Sequence, residues 1–219
     1  MLEEKVRDFE SEIIPRLNKV HLDFISVISP YFGISEKIQP CKIDYSEDGF
    51  YAGRFDHVTK IITIRKEYNK KTMNDVCEKK PAEFERFIGI KELTCAHESA
   101  HYLHSLVKPH LFNNGKRLAG DSLLEIVAIM NSIVFFDLKG RFHEINLKDE
   151  VTSKDDEWHK DCYDFYSKHI KGRPYLEKET CRLLSQANNL EHLRSLWWGL
   201  ANIAFQWERK EEGVKTNES

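Results

Sequence analysis

Several features that define common protein classes are missing from this sequence. The five cysteines are widely scattered and include no CxxC pair, which argues against a disulfide framework or a cysteine zinc site and indicates reduced thiols. The N-terminal stretch MLEEKVRDFE is acidic and lacks the basic start and apolar run of a secretory signal. The longest apolar segment, from Leu123 to Leu138, is interrupted by polar residues and is too short to span a bilayer. We therefore expect a cytoplasmic protein with no membrane partner.

The sequence also has no excess of positively charged residues. The chain has 33 Lys and Arg residues against 36 Asp and Glu residues, with a formal net charge of -3 and a pI near 6.4. Surfaces that bind nucleic acid phosphates carry a marked positive charge, which this balance does not supply. We therefore expect no nucleic-acid partner.

Internal repeats and low-complexity linkers are absent too, so nothing in the sequence demands a domain boundary. The 219 residues, 41% of them hydrophobic, are enough for one sizeable core. We expect a mainly helical α+β fold with a single domain over residues 1–209. The part of the domain that carries the candidate site described below spans about 50–138, a helical C-terminal extension spans about 154–209, and residues 210–219 form a flexible tail.

Apolar periodicity predicts a long amphipathic N-terminal helix, which Pro15 can bend or divide. The apolar residues recur at spacings of three and four: Leu2, Val6, Phe9, Ile13, Leu17, Val20, Phe24 and Val27. Further on, GFYAGRF and KIITIRKEY are rich in aromatic and β-branched residues, and the polar linker DHVT between them indicates a β-hairpin. Helices are predicted again from about Ala82 to Val107, ended by Pro109, and from Ser122 to Leu138, with further helical segments beyond.

The stretch TCAHESAHYL places His97, Glu98 and His101 on the helix predicted from about Ala82 to Val107. Residues four apart lie about 6 Å apart along a helix and about 40° apart around it, so both imidazoles can reach one zinc ion at about 2.0 to 2.1 Å. Glu98 is turned roughly 100° from the ligand direction, which leaves its carboxylate beside the open position of the metal. There it can act as general base on a metal-bound water, whose pKa zinc lowers from about 15.7 toward about 7. The pattern predicts a zinc site with two histidine ligands.

The flanking residues favour this interpretation over hydrogen-bonded core histidines beside an ordinary helix glutamate. Cys95, Ser99, Ala100 and Tyr102 are uncharged, whereas a charged neighbour would carry a desolvation cost of its own in a buried site. An apolar stripe beside the two histidines lets the helix bury one side. We interpret His104, one turn further on, as a residue that supports the ligands from behind or lies at the surface.

A catalytic zinc site needs a third protein ligand beside water, and Glu125 is the strongest choice. It lies 24 residues after His101 on an apolar helix, where an ionised carboxylate is costly unless it is paired or bound to a metal. Ser122 and Glu125 also match a capping box, which would explain the glutamate without a metal. Asp121 is a further alternative, either as the helix cap or as the ligand itself.

TCAHESAHYL together with LLEIVA resembles the gluzincin type of zinc metallopeptidase. A strand or hairpin before the HExxH helix and an E-x-x-A pattern after it are most similar to the small ImmA/IrrE-like peptidases. The resemblance covers about residues 50 to 138 and implies a zincin-like catalytic domain. It also implies His97, His101 and Glu125 as Zn²⁺ ligands, Glu98 as the base, and limited cleavage of a particular protein partner.

Two positions depart from that pattern. Ala100 stands where ImmA-like proteins usually have glycine, and no aspartate lies four residues after Glu125 to support a histidine as in thermolysin-like enzymes. The metzincin pattern is excluded, because His104 replaces its spacer glycine and Val107 replaces its third histidine.

The sequence leaves two interpretations of the segment KIITIRKEY open. It is either an edge strand beside the metal helix, whose unpaired backbone could bind an extended peptide by strand addition, or a core strand. A donor for the developing oxyanion is also expected. The residues considered for it are His143, His159, Tyr163, Tyr166 and His169.

The sequence thus predicts a zinc metallopeptidase, a hydrolase that acts on a peptide or protein substrate. The alternative is a catalytically inactive, zinc-stabilised module that binds or regulates a protein partner.

Overall fold

The computed structural model describes residues 2–46, 52–66, 81–112, 122–142 and 154–217. Among these residues helices predominate, and a small three-stranded sheet precedes most of them, which confirms the expected α+β class. The helices are α1 (Leu2–Ile28), α2 (Pro81–Val107), α3 (Ser122–Leu138), α4 (Lys154–His169), α5 (Pro174–Ser185) and α6 (Leu190–Asn217). The strands are β1 (Lys42–Ser46), β2 (Gly53–Asp56) and β3 (Ile61–Arg65), and short 3₁₀ helices span Ser29–Phe32 and Pro109–Leu111.

The helices predicted from periodicity are present with nearly the expected bounds. Helix α1 continues through Pro15. Helix α2 ends one residue before Lys108, whose φ of -133° and ψ of 58° are not helical, because the ring of Pro109 disfavours helical geometry in the residue before it. Helix α3 begins at Ser122 and ends at Leu138, as predicted.

Helix α3 is at the centre of the molecule. All its residues from Ile126 to Phe136 are buried, and it contacts α1, α2 and the helices α4, α5 and α6. Helix α1 covers α2 from the other side, with Ile13, Leu17 and Phe24 each fully buried at helical spacing. Helix α2 therefore has one face in the core, and its remaining face borders the sheet and the first turn of α3.

The sheet has the order β1-β3-β2, with β3 parallel to β1 and antiparallel to β2. The predicted hairpin is β2 and β3. Its turn is held by the carboxylate of Asp56, which accepts the backbone N–H groups of Val58 at 2.9 Å and Thr59 at 3.0 Å. Ile62 and Ile64 of β3 are fully buried, and both β2 and β3 contact α2.

Strand β3 is the central strand, so the edge-strand interpretation of KIITIRKEY is wrong and the core-strand interpretation is confirmed. Both sides of its backbone are paired, because β1 returns from an earlier part of the chain to lie beside it. Among the described strands, β1 and β2 are the edges. The edge strand of the hairpin is therefore β2, which contacts α2.

The C-terminal end differs in part from the expectation. Helix α6 continues to Asn217, so most of segment 210–219 is helical, and its flexibility stays a prediction. None of the helices in the described part of the chain has both the length and the apolar character needed to cross a membrane.

Candidate metal centre

Helices α2 and α3 bring the three predicted ligands together. The Nε2 atoms of His97 and His101, one turn apart on α2, lie 3.0 Å from each other. Glu125, in the first turn of α3, directs one oxygen at each histidine: Oε2 lies 3.0 Å from His97 Nε2, and Oε1 lies 3.5 Å from His101 Nε2. In the described part of the chain, these three side chains form a group that could hold a metal ion.

The spacing of these atoms fits a tetrahedral zinc site. Ligand atoms about 2.0 to 2.1 Å from zinc at tetrahedral angles lie roughly 3.3 Å from one another. The three observed separations of 3.0, 3.0 and 3.5 Å are close to that value. Two imidazole nitrogens and one carboxylate oxygen are also a donor set found in catalytic zinc sites, which leave a fourth position open.

The group lies at the edge of the core and is open on the side of α3. The side chains of His97 and His101 are 16% and 9% exposed, whereas that of Glu125 is 33% exposed. The histidines are therefore held by their surroundings, while solvent can approach beside the carboxylate.

The charge of Glu125 suits a metal ligand. Burial alone would raise the pKa of this carboxyl, but the hydrogen bonds and charge of His101 and His97 outweigh burial and lower its pKa below the usual range. Glu125 is therefore ionised at neutral pH, which is the ligating form. Because both oxygens face the histidines, the geometry favours the ligand interpretation over the capping box. Asp121, the other possible third ligand, lies outside the described residues.

Glu98 lies next to the ligands but is not one of the three converging groups. It is buried, with 6% exposure, and its side chain lies against Gly53 of β2. This is the position expected for a residue one step along the helix from His97, turned toward the sheet. Its role as general base stays a prediction.

His104 is fully buried, so the surface interpretation of this residue is wrong. Neither ring nitrogen has a hydrogen-bond partner among the described residues, and the ring lies edge-on to Phe32 and Phe112. Burial, with smaller contributions from the charges of His101, Lys108 and His110, lowers the pKa of His104 to about 3. It is a neutral imidazole in an aromatic pocket and binds neither ligand histidine through hydrogen bonds.

A buried polar chain fixes the back of α2 against α1. The ring of His21 accepts the Cys41 N–H at Nε2 over 2.9 Å, so its Nδ1 carries the proton and donates to Ser99 Oγ over 2.8 Å. Ser99 in turn donates to the carbonyl of Cys95 over 2.7 Å. Burial lowers the pKa of His21 to about 4. The helix turn that carries the ligands is thereby joined to α1 and to the segment before β1.

A buried ion network fixes the same helix further toward its N-terminus. Glu92 is 3% exposed and accepts hydrogen bonds from Arg16 Nε of α1 over 2.9 Å and from Arg141, which follows α3. Arg16 also binds both oxygens of Glu85 on α2, at 3.2 and 3.1 Å. One carboxylate therefore connects the three helices that border the metal centre.

The described candidates for the oxyanion donor are engaged in other contacts. The hydroxyl of Tyr166 donates to Asp137 Oδ2 over 2.7 Å, and Asp137 lies about 18 Å along α3 from Glu125. Tyr163 stacks on Phe142, which follows the same distant end of α3. These contacts argue against Tyr163 and Tyr166 as donors at the metal centre.

His169 packs against Phe165 and Phe205. His143 and the side chain of His159 lie outside the described residues. The oxyanion donor therefore stays unassigned.

Sequence reasoning did not single out Gly53 and Thr94, which lie beside Glu98. A signal was present, because a glycine within a strand, as in GFYAGRF, marks a site where another part of the protein approaches closely. The buried pairing of His21 with Ser99 had no comparable signal, since 78 residues separate the two in sequence.

Comparison with models of protein families, with curated proteins and with solved structures finds no match to this chain.

Proposed function

We propose that the protein is a zinc metallopeptidase with a zincin-like catalytic domain, which acts in the cytoplasm by limited proteolysis of a specific protein partner. The observation that carries the proposal is the convergence of His97, His101 and Glu125 at the spacing of zinc ligands. The order of the elements supports it, because a hairpin precedes the HExxH helix and a glutamate-bearing helix follows it. That order agrees with the gluzincin resemblance of the sequence.

Each residue of the centre has one role in this proposal. His97, His101 and Glu125 hold the ion, which when bound supplies Lewis acidity and lowers the pKa of a coordinated water from about 15.7 toward about 7. Glu98 takes the proton from the attacking water and delivers it to the amine of the leaving peptide. The low exposure of Glu98 keeps its carboxylate in one place for this transfer.

A peptide substrate would bind by strand addition to β2. This strand is an edge of the described sheet and contacts the metal helix, and its first residue lies against Glu98. Main-chain hydrogen bonds to such an edge hold any peptide in extended form, and side-chain pockets then select among sequences. The peptide main chain would therefore pass beside the general base.

Replacing the general base tests the proposed reaction. Glu98→Gln keeps the size of the side chain but removes its basicity, so we expect zinc to be retained and cleavage to fall by at least about 100-fold. Zinc is measured by emission spectroscopy. Cleavage is measured by mass spectrometry as new termini in a proteome-derived peptide library.

The matched control is Glu85→Gln, an exposed glutamate on the same helix that binds Arg16. We expect this variant to cleave the library like the unmodified protein. Full activity of Glu98→Gln would contradict the role given to Glu98.

A second function is favoured by the surface of α6. Trp198 and Phe205 are 70% and 54% exposed, and their seven-residue spacing places them on one face of the helix. Trp198 also borders a mainly apolar cavity of about 250 Å³, together with Ile126, Cys162 and Trp197. Exposed aromatic side chains of this kind mark protein-binding surfaces.

In that case the protein is a zinc-stabilised binding or regulatory module without catalysis. Partner capture that needs Trp198, leaves the partner uncleaved and is unchanged in Glu98→Gln would favour the module over the peptidase.

A further inference from the structure

The close approach of β2 to the metal helix depends on the absence of one side chain. A Cβ added at Gly53 would lie 2.5 Å from Thr94 Cγ2, 3.0 Å from Glu98 Cγ and 3.1 Å from Glu98 Oε1. Two carbon atoms in favourable contact are about 3.5 to 4.0 Å apart. The contact with Thr94 would therefore be a clash, and the two contacts with Glu98 would be tight enough to displace its side chain. Gly53 therefore lies in the notch between two residues one turn apart on α2.

The strand follows the helix from this point. Phe55 shares the face of β2 that Gly53 presents to α2; it is buried, and its ring centroid lies 5.6 Å from that of Tyr102. Two strand residues advance about 6.8 Å, and the four helix residues from Glu98 to Tyr102 advance about 6 Å. The two contacts, one at Gly53 and one between Phe55 and Tyr102, are therefore separated by nearly the same distance along the strand and along the helix.

The register with β3 holds the glycine in this place. Gly53 pairs with Ile64 and Phe55 pairs with Ile62, and both isoleucines are fully buried. Strand β2 cannot slide along the helix without breaking these pairs, because a shift of one residue would turn its buried face outward. The glycine is thereby fixed opposite the predicted base.

We propose that Gly53 is a positioning residue for Glu98: its missing side chain lets β2 close onto the metal helix and confines the carboxylate to one place beside the metal centre. The proposal rests on the proposed function for its catalytic consequence only. The packing itself can be tested in protein without metal or substrate.

The test measures how much Gly53→Ala lowers the melting temperature of metal-free protein in three backgrounds. These are the unmodified protein, Thr94→Ser, and Thr94→Ser combined with Glu98→Ala. In the unmodified protein the new methyl group meets both neighbours, and we expect Tm to fall by at least about 4 °C. Thr94→Ser removes Cγ2 but keeps the hydroxyl that donates to the Ile90 carbonyl over 3.0 Å. In the Thr94→Ser variant, Gly53→Ala should therefore lower Tm by less. Thr94→Ser combined with Glu98→Ala removes all three of the atoms nearest to the added methyl group, and the fall in Tm should be smallest there.

The matched control is Gly89→Ala on the same helix. An added Cβ at Gly89 has no heavy atom within 4 Å, and alanine favours a helix over glycine. We expect its Tm to equal or exceed that of the unmodified protein. An equal fall for Gly53→Ala in all three backgrounds would overturn the proposal, because the methyl group would then not be meeting Thr94 or Glu98.

The catalytic consequence is measured in Gly53→Ala combined with Thr94→Ser. This variant should fold and keep its zinc, while kcat on a peptide of the library falls several-fold because the base is displaced. Thr94→Ser alone should keep the kcat of the unmodified protein. An unchanged kcat in the double variant would also overturn the proposal.

If the unmodified protein binds no zinc and cleaves no peptide, the proposed function fails. The pattern of Tm values still decides whether Gly53 positions Glu98.

Discussion

At the scale of single residues, the candidate metal centre consists of side chains whose charge states suit metal binding. Glu125 is partly exposed and ionised, and His97 and His101 direct their Nε2 atoms at its oxygens. His21, behind them, is buried and neutral. The first group can bind a cation, whereas the second is limited to hydrogen bonds that hold the helix.

Removing the third ligand should release the metal while the protein remains folded. Glu125→Gln keeps the shape of the side chain but loses the charge, and we expect the affinity for zinc to fall by at least about 100-fold. Competition with a chromogenic chelator measures the affinity.

The control for the third ligand is Glu179→Gln, which changes a carboxylate that binds Arg182 on α5. It should leave zinc affinity unchanged. The same affinity in Glu125→Gln would mean that Glu125 caps α3 and binds no metal.

His21 should make the protein less stable in mild acid. The unfolded chain takes up a proton at this residue below about pH 6.5, but the folded protein does so only near pH 4. Stability from His21 is therefore complete above about pH 6.5 and falls as the pH falls toward 4, by up to about 3 kcal/mol.

Denaturant titrations of metal-free protein at several pH values measure this dependence. In His21→Gln the free energy of unfolding should vary less steeply with pH over that range. The reduction in slope should correspond to up to one proton taken up on unfolding. His192→Gln, on α6, serves as the control and should keep the original slope. Equal slopes for the His21 variant and the unmodified protein would be inconsistent with a buried neutral His21.

At the scale of the elements, three helices and one hairpin position the metal centre. Helix α2 supplies both histidines and the predicted base, α3 supplies the predicted third ligand, and α1 holds α2 from behind through the His21 chain and the Glu92 network. Strand β2 packs against α2 at Gly53, beside Thr94 and Glu98. Each functional side chain is thus on a regular element, which is the more rigid arrangement for a site.

The Glu92 network should contribute strongly to stability. Glu92→Ala removes the buried carboxylate that Arg16 and Arg141 share, but both guanidinium groups are about a third exposed and can be solvated in its absence. We therefore expect the free energy of unfolding to fall by about 1.5 to 3 kcal/mol. Urea denaturation followed by circular dichroism measures the change.

Glu85→Ala provides the comparison on the same helix, because its carboxylate also binds Arg16 but is 60% exposed. An exposed ion pair contributes about 1 kcal/mol or less. A loss for Glu92→Ala as small as that for Glu85→Ala would show that the buried network does not join the helices.

At the scale of the whole molecule, local patterns predicted the elements better than their arrangement. The bounds of α2 and α3 follow from apolar spacing, Ser122 and Pro109, all of which act within a few residues. The parallel pairing of β1 with β3 joins Lys42 to Ile61, a contact that no local pattern specifies. For that reason the hairpin was predicted correctly, whereas the sequence left the position of KIITIRKEY in the sheet open between an edge strand and a core strand.

In the candidate metal centre, too, some features follow from local sequence patterns and others depend on how distant segments pack together. The meeting of Glu125 with His97 and His101 was predictable, because an ionised residue on an apolar helix needs a partner and a metal needs a third ligand. The burial of His104 was not predictable, since it depends on Phe32 and Phe112, which the fold brings from two other segments. The closeness of Gly53 to Glu98 likewise depends on how the sheet packs on α2.

Zinc content is the most direct measurement of the central claim, that helices α2 and α3 form a zinc site. Emission spectroscopy on protein dialysed against dilute zinc should give one zinc ion per chain, and the His97→Ala, His101→Ala and Glu125→Gln variants should each give much less. A zinc content near zero in the unmodified protein, unrestored by added zinc, would contradict the account.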